Sequence, residues 1–134
     1  MERYRAAKER LFSWPGLKCA VINVDDPVGK TLADRLARRV AVISCGFDPA
    51  NAPTLRGRSL RVSIDGVEFT AATAGGEVAV RSGVLGAFNA ANLLVVLGTL
   101  AASGIELNAA ARPLQALESA PGRMQRVGDA PRGP

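Results

Sequence analysis

The chain contains no histidine, so neither an imidazole base nor an imidazole metal ligand can come from within its 134 residues. Any chemistry here falls to carboxylates, lysine or a bound metal. Cysteine is nearly as scarce. Cys19 and Cys45 are the only two, with no Cys-x-x-Cys spacing, and both fall in apolar runs that read as strands. This is the pattern of reduced core thiols in a cytosolic protein, not of a disulfide or zinc framework. Aromatic residues are few, with one tryptophan, one tyrosine and four phenylalanines. The net charge is +5, but the basic residues are scattered: Arg3, Arg5, Lys8 and Arg10, then Arg35, Arg38 and Arg39, then Arg56, Arg58 and Arg61. A nucleic-acid binder concentrates its charge and interleaves stacking rings. This distribution speaks against one, and a small anionic ligand suits the mild positive excess.

The first residues, MERYRAAKERLF, are charged and amphipathic and do not read as a signal peptide. Ser82 to Ile105 is uncharged, but its glycines and two asparagines break it up, and the strongly apolar part, Leu93 to Leu100, is too short to span a bilayer. A buried helix is expected there. The chain reads as a cytoplasmic protein with no membrane insertion.

Apolar patterning then supplies an α/β order. Residues 2–13 read as a helix with Tyr4, Ala7, Leu11 and Phe12 on its apolar face. LKCAVIN (17–23) is a continuous apolar run of strand length, suited to a sheet covered on both sides. Asp26 followed by Pro27 is a helix start, with a side-chain cap and then proline at the first helical position. That helix runs to about Arg38, and VAVISC (40–45) is a second buried strand, completing a right-handed βαβ unit. GFDPANAP reads as loop. SLRVSI (59–64), VEFTAA (67–72) and EVAVRS (77–82) alternate apolar and polar residues around Asp65-Gly66 and Gly75-Gly76, the signature of an antiparallel meander. Helices over about 88–102 and 107–118 follow, separated by Ser103-Gly104. The expected fold is thus a partial doubly wound, Rossmann-like parallel sheet with an inserted small meander and C-terminal helices. Two parallel strands do not complete such a sheet, and an exposed strand edge with a tendency to aggregate is expected.

Three candidate sites emerge from the residues themselves. Gly29-Lys30-Thr31 opens a helix after a strand, but a phosphate loop needs a glycine where Val24 stands, and Asp25 and Asp26 would repel phosphate. It is rejected, and Lys30 reads as a solvent-facing helix residue. Asn23 and Asp25 sit at the carboxyl end of a parallel strand, where open α/β sheets bind ligands; equally, Asn23 closes the strand and Asp26 caps the helix. Asn89 and Asn92 put two amides on one face at the front of an apolar helix. Either Asn89 caps that helix and Asn92 fills an exposed position, or the pair meets a nucleotide, whose purine edge and ribose hydroxyls need both donors and acceptors.

Taken in order, YRAAKERLF, AVINVDDP, GAFNAANLLVVLGTLAASGI and PGRMQRV resemble the central ATP-binding domain of the Mur ligases, the ATP-dependent amino-acid ligases of peptidoglycan synthesis. The Phe-Asn pair and the Gly-Arg-Met run are most similar to the tripeptide-forming branch. The resemblance implies ATP and Mg2+ as cofactors. It implies a UDP-linked muramoyl dipeptide and an amino acid as partners, with no nucleic acid, in a monomeric enzyme. It also implies roles for single residues. Lys8 would become a carbamate that supports the magnesium ion, Asn89 and Asn92 would lie near adenine and ribose, and Arg123 would reach the phosphates. Asn23 and Asp25 would border the nucleotide. Residues 1–124 would be part of the central domain and 125–134 the start of a linker. The family's phosphate loop, magnesium-binding glutamate and histidine would precede Met1, and its amino-acid-binding domain would follow Pro134. The chain by itself is therefore expected to be inactive. A non-catalytic nucleotide-binding module is the alternative.

Overall fold

A computed structural model describes residues 2–117. Helix α1 (Glu2–Leu11) leads into strand β1 (Cys19–Asn23), helix α2 (Pro27–Leu36) and strand β2 (Ala41–Gly46). Strands β3 (Leu55–Ser63), β4 (Gly66–Thr73) and β5 (Gly76–Ser82) precede helices α3 (Ala87–Ala102) and α4 (Leu107–Ala111). The βαβ unit is present: β1 pairs with β2 in parallel from Cys19 opposite Ala41 to Asn23 opposite Cys45. Asp26 caps α2 through Val28 N at 3.1 Å, with Pro27 in the first turn.

The meander is not a separate appendage. The five strands form one sheet in the order β1-β2-β3-β4-β5. The join is parallel and short, Cys45 opposite Leu55 and Gly46 opposite Arg56, after which β3, β4 and β5 run antiparallel. Sequence patterning starts β3 at Ser59, four residues late. The reason is local: the ladder shifts register between Arg58 and Arg61, where Ser59 adopts φ 55°. A bulge interrupts the period-two pattern on which the reading relied.

One face of the sheet carries the larger core. Leu55, Val67, Phe69, Ala71 and Val80 pack beneath Ala90, Leu93, Leu94 and Leu97 of α3, with Ala110, Ala111 and Leu114 behind them. At Gly98, α3 comes so close to the sheet that a Cβ would lie 2.9 Å from Val21 Cγ1 and 3.0 Å from Cys45 Sγ. On the other face, Leu32, Ala33 and Leu36 of α2 cover Ala20 and Ile22. β1 is therefore clothed on both faces, yet its outer edge has no strand partner among the described residues.

Two helix readings change. Of the apolar face expected for α1, Ala7 and Leu11 are exposed, Leu11 by 69%, and Phe12, just past the helix end, packs against the α2 cluster. The last helix is α-helical only to Ala111 and continues as a 3-10 turn over Arg112–Ala116. Pro113 lacks an amide hydrogen and crowds the preceding turn, which stops the α ladder. No helix among the described residues is long and apolar enough to cross a membrane.

Candidate functional site

The front of α3 brings the two asparagines together, though not as a cap. Gly86, at φ 90°, takes the N-cap position without any side-chain bond, and Asn89 lies within the first turn. Asn89 Nδ2 donates back to Leu85 O at 2.9 Å, which pins the side chain against its own entry loop. Asn92 Nδ2 donates to Asn89 Oδ1 at 3.3 Å. The amides thus form a relay from main chain to a half-buried asparagine to an exposed one. The capping explanation for Asn89 fails because the helix begins at Ala87 with Gly86 as its N-cap, which leaves Asn89 inside the first turn. Asn92 keeps its Oδ1 and a second N–H uncommitted among the described residues, an acceptor and a donor facing solvent side by side. Phe88, which entered the sequence reading only through the Phe-Asn pair and was given no role there, precedes Asn89 with 73% of its surface exposed.

Asn23 and Asp25 lie at the carboxyl ends of β1 and β2, and their polar atoms are engaged internally. Asn23 Oδ1 accepts from Asp25 N at 2.9 Å, turning the chain. The Asp25 carboxylate then accepts from Phe47 N at 2.6 Å, Asp48 N at 3.3 Å and Asn51 Nδ2 at 3.0 Å. Gly46 makes room for it, since a Cβ there would sit 2.7 Å from Asp25 Oδ1. Asp25 therefore clamps the connection between β2 and β3 onto the turn after β1. Asn51 and Gly46 were invisible to sequence reasoning because both partners are more than twenty residues from Asp25 along the chain. Lys30 pairs with Asp34 at 3.6 Å on the surface of α2, in agreement with its reading as a solvated residue.

Cys45 is 1% exposed, and burial pushes its thiol up to about 12. Both cysteines are free. Lys8 falls within α1, but its side chain lies outside the described residues, as does Arg123. Among the described residues no group of three or more cysteine or acidic side chains is placed to hold a metal ion, so these residues do not by themselves form a magnesium site. A concavity of about 430 Å3 between β5 and α4, lined by Val78, Ala79, Asn108, Ala111, Arg112 and Gln115, contains none of the predicted site residues.

Comparison with known proteins agrees with this arrangement. The model of the Mur ligase middle domain matches residues 1–100. The UDP-N-acetylmuramoyl-L-alanyl-D-glutamate–2,6-diaminopimelate ligase of Chromobacterium violaceum is 42% identical over 131 residues, covering 97% of this chain and 26% of that enzyme. The ligase of the same name from Pseudomonas putida is 41% identical over 135 residues, covering 96% and 27%. A solved structure of a ligase of that name superposes with a TM-score of 0.83 at 32% identity, over 96% of this chain and 27% of the other. The D-alanyl-D-alanyl-adding ligase of Acinetobacter baumannii shares the fold, with a TM-score of 0.79 at 18% identity over 95% and 28% of the two chains. This chain spans about a quarter of the length of these relatives. A βαβ unit continued by a meander in one sheet is thus the framework of a known family, and the chain belongs to the Mur ligase middle-domain family.

Proposed function

We propose that this chain is the nucleotide-binding part of an ATP-dependent acid–amino-acid ligase of peptidoglycan precursor synthesis. That ligase adds the third residue, 2,6-diaminopimelate, to UDP-N-acetylmuramoyl-L-alanyl-D-glutamate in the cytoplasm. The names of relatives at 37–42% identity support the substrate assignment. The observation that carries the chain's own share is the amide relay on α3.

The two asparagines divide the work. Asn89 is the positioning residue, spending one donor on Leu85 O and one acceptor on Asn92. Asn92 is the reader, offering Oδ1 to the exocyclic amine of adenine and its second N–H to the neighbouring ring nitrogen. That bidentate pairing discriminates between bases by about 1–3 kcal/mol. Asn23 and Asp25 build the wall at the strand ends where such a ligand lies, without spending their own polar atoms on it.

In the ligase reaction the substrate carboxylate attacks the γ-phosphorus of ATP and ADP leaves. The amine of the incoming amino acid then attacks the acyl phosphate, and inorganic phosphate departs as the amide bond forms. A magnesium ion, when bound, would supply positive charge against that developing in phosphoryl transfer. Lys8, as a carbamate, and Arg123 are the chain's candidate contributions near the phosphates. The described residues supply no metal cluster, and Gly29-Lys30-Thr31 is no phosphate loop. The described residues are therefore read as a base-binding element that holds neither a metal cluster nor a phosphate loop.

The test is a graft. Residues 1–134 replace the matching quarter of the Chromobacterium ligase, and tripeptide formation is followed against ATP concentration. Retained coupling is expected, with Asn92→Ala raising the KM for ATP about 5- to 100-fold at little cost in folding. An inactive but folded graft, or an Asn92→Ala graft with unchanged ATP dependence, would overturn the reading.

A further inference from the structure

β5 is the last strand of the sheet, and among the described residues no strand lies along its outer edge. Main-chain groups of an antiparallel strand alternate in direction from one residue to the next. Ser82 O lies against Gly66 of β4, whereas Gly83 N turns the other way and donates to Leu117 O at 3.1 Å. By that alternation Arg81, Ala79 and Glu77 aim their N–H and C=O groups away from β4. Leu117, extended at φ −78° and ψ 145°, serves as a one-residue strand partner at the end of this edge. The rest of the edge is open. At Ala79 it forms one wall of the 430 Å3 concavity, whose opposite wall is Asn108, Ala111, Arg112 and Gln115 of α4 and the 3-10 turn.

The charge left over in this groove is positive. Glu77 is tied to Arg58, Arg81 shares Glu68 with Arg61, and Glu106 spends its carboxylate on Ala109 N and Asn108 Nδ2. Arg112 is exposed and forms no ion pair among the described residues. A small anion would answer Arg112 and leave the strand edge unused. A docked helix would cover that edge without pairing it, at the cost of desolvating its donors and acceptors. An extended chain satisfies both, because its own main chain pairs with the edge while its side chains meet the helical wall. We propose that the groove beside β5 is a docking site for an extended acidic segment of a partner protein. The segment adds a sixth strand to the sheet along Ala79 and Arg81 and sets a carboxylate against Arg112. None of Asn23, Asp25, Asn89 and Asn92 lines this groove, so the proposal stands apart from the nucleotide reading.

The experiment titrates the whole 134-residue chain with acetyl-Thr-Val-Glu-Val-Thr-amide and follows the main-chain amides by NMR. Saturable shifts and slowed hydrogen exchange are expected at Ala79 and Arg81. A peptide with lysine in the central place should bind at least about 5-fold more weakly, and Arg112→Gln should weaken the glutamate peptide about 2- to 5-fold. Of the two alternate sets of peptide amides, N-methylation of one should abolish binding and of the other spare it, since only one set faces β5. Ala79→Pro removes an outward N–H without touching the β4 ladder, and should also abolish binding. Shifts that miss Ala79 and Arg81 overturn the proposal, as do two methylated peptides that both bind like the parent. A lysine peptide and an Arg112→Gln chain that behave like their parents overturn it too. So does slowed exchange at Ala79 that tracks protein concentration alone, with sedimentation showing dimers, because the occupant is then a second copy of this chain.

Discussion

Replacing Asp25 should unseat the connection between β2 and β3. Its carboxylate accepts from two main-chain amides, Phe47 N and Asp48 N, and from Asn51 Nδ2. A hydrogen bond to a charged group contributes about 1.5–3 kcal/mol in favourable sites and less where water competes. Asp25 is exposed, so water can reach the freed amides, and Asp25→Ala should cost roughly 2–3 kcal/mol in all. For a chain of this size that is a fall in Tm of about 6–12 °C. Asp25→Asn is the sharper perturbation because it keeps the volume. Whichever way the amide turns, its NH2 faces a donor, either Phe47 N or the pair Asp48 N and Asn51 Nδ2. About 1–2 kcal/mol should still be lost. Urea unfolding followed by circular dichroism reads both variants. If Asp25→Asn left stability within about 0.5 kcal/mol of the parent while abolishing a response to Mg-ATP, Asp25 would be a ligand to the nucleotide complex and the clamp argument would be wrong.

Two other outcomes follow from the core. Cys45 should be silent to thiol reagents at pH 8 in the native chain and react only on unfolding, whereas half-buried Cys19 should react first; mass spectrometry of the singly labelled protein decides between them. Because the folded thiol titrates near 12 against 9.0 when unfolded, its contribution is complete below pH 9 and then declines, by about 1.4 kcal/mol per pH unit, until pH passes about 12. Gly98→Val should destabilise by about 2–3 kcal/mol, since even one added carbon falls 2.9 Å from Val21 Cγ1. A neutral effect in the unfolding curve would mean that α3 does not lie as close to β1 as described.

The parts of the fold written in short-range chemistry were legible. Asp26-Pro27 announced α2, the alternating runs announced β4 and β5, and Asp65-Gly66 and Gly75-Gly76 marked their turns. The parallel join of β2 to β3 was not legible, because it rests on two residue pairs across a loop and leaves no period in the sequence. The start of β3 was hidden by the bulge at Ser59. At the site, the spacing of Asn89 and Asn92 correctly put both amides on one face. Their order of dependence could not be read, because it turns on Leu85 O, a main-chain atom that every residue possesses. Resemblance alone singled out Lys8, since a charged residue on a charged helix carries no local mark.

The deep seating of α3 has a further consequence for how the amides are kept in place. Their helix is bolted through Leu93, Leu94, Leu97 and Gly98 to a floor shared by β1, β2, β3 and β4, so its orientation is averaged over four strands and not inherited from any one turn. Lengthening or rewording the hairpin tips would leave the asparagine-bearing end where it is, whereas a single swollen side chain under the helix would tilt it. In a lineage drifting at its loops, the aim of Asn92 is guarded from below.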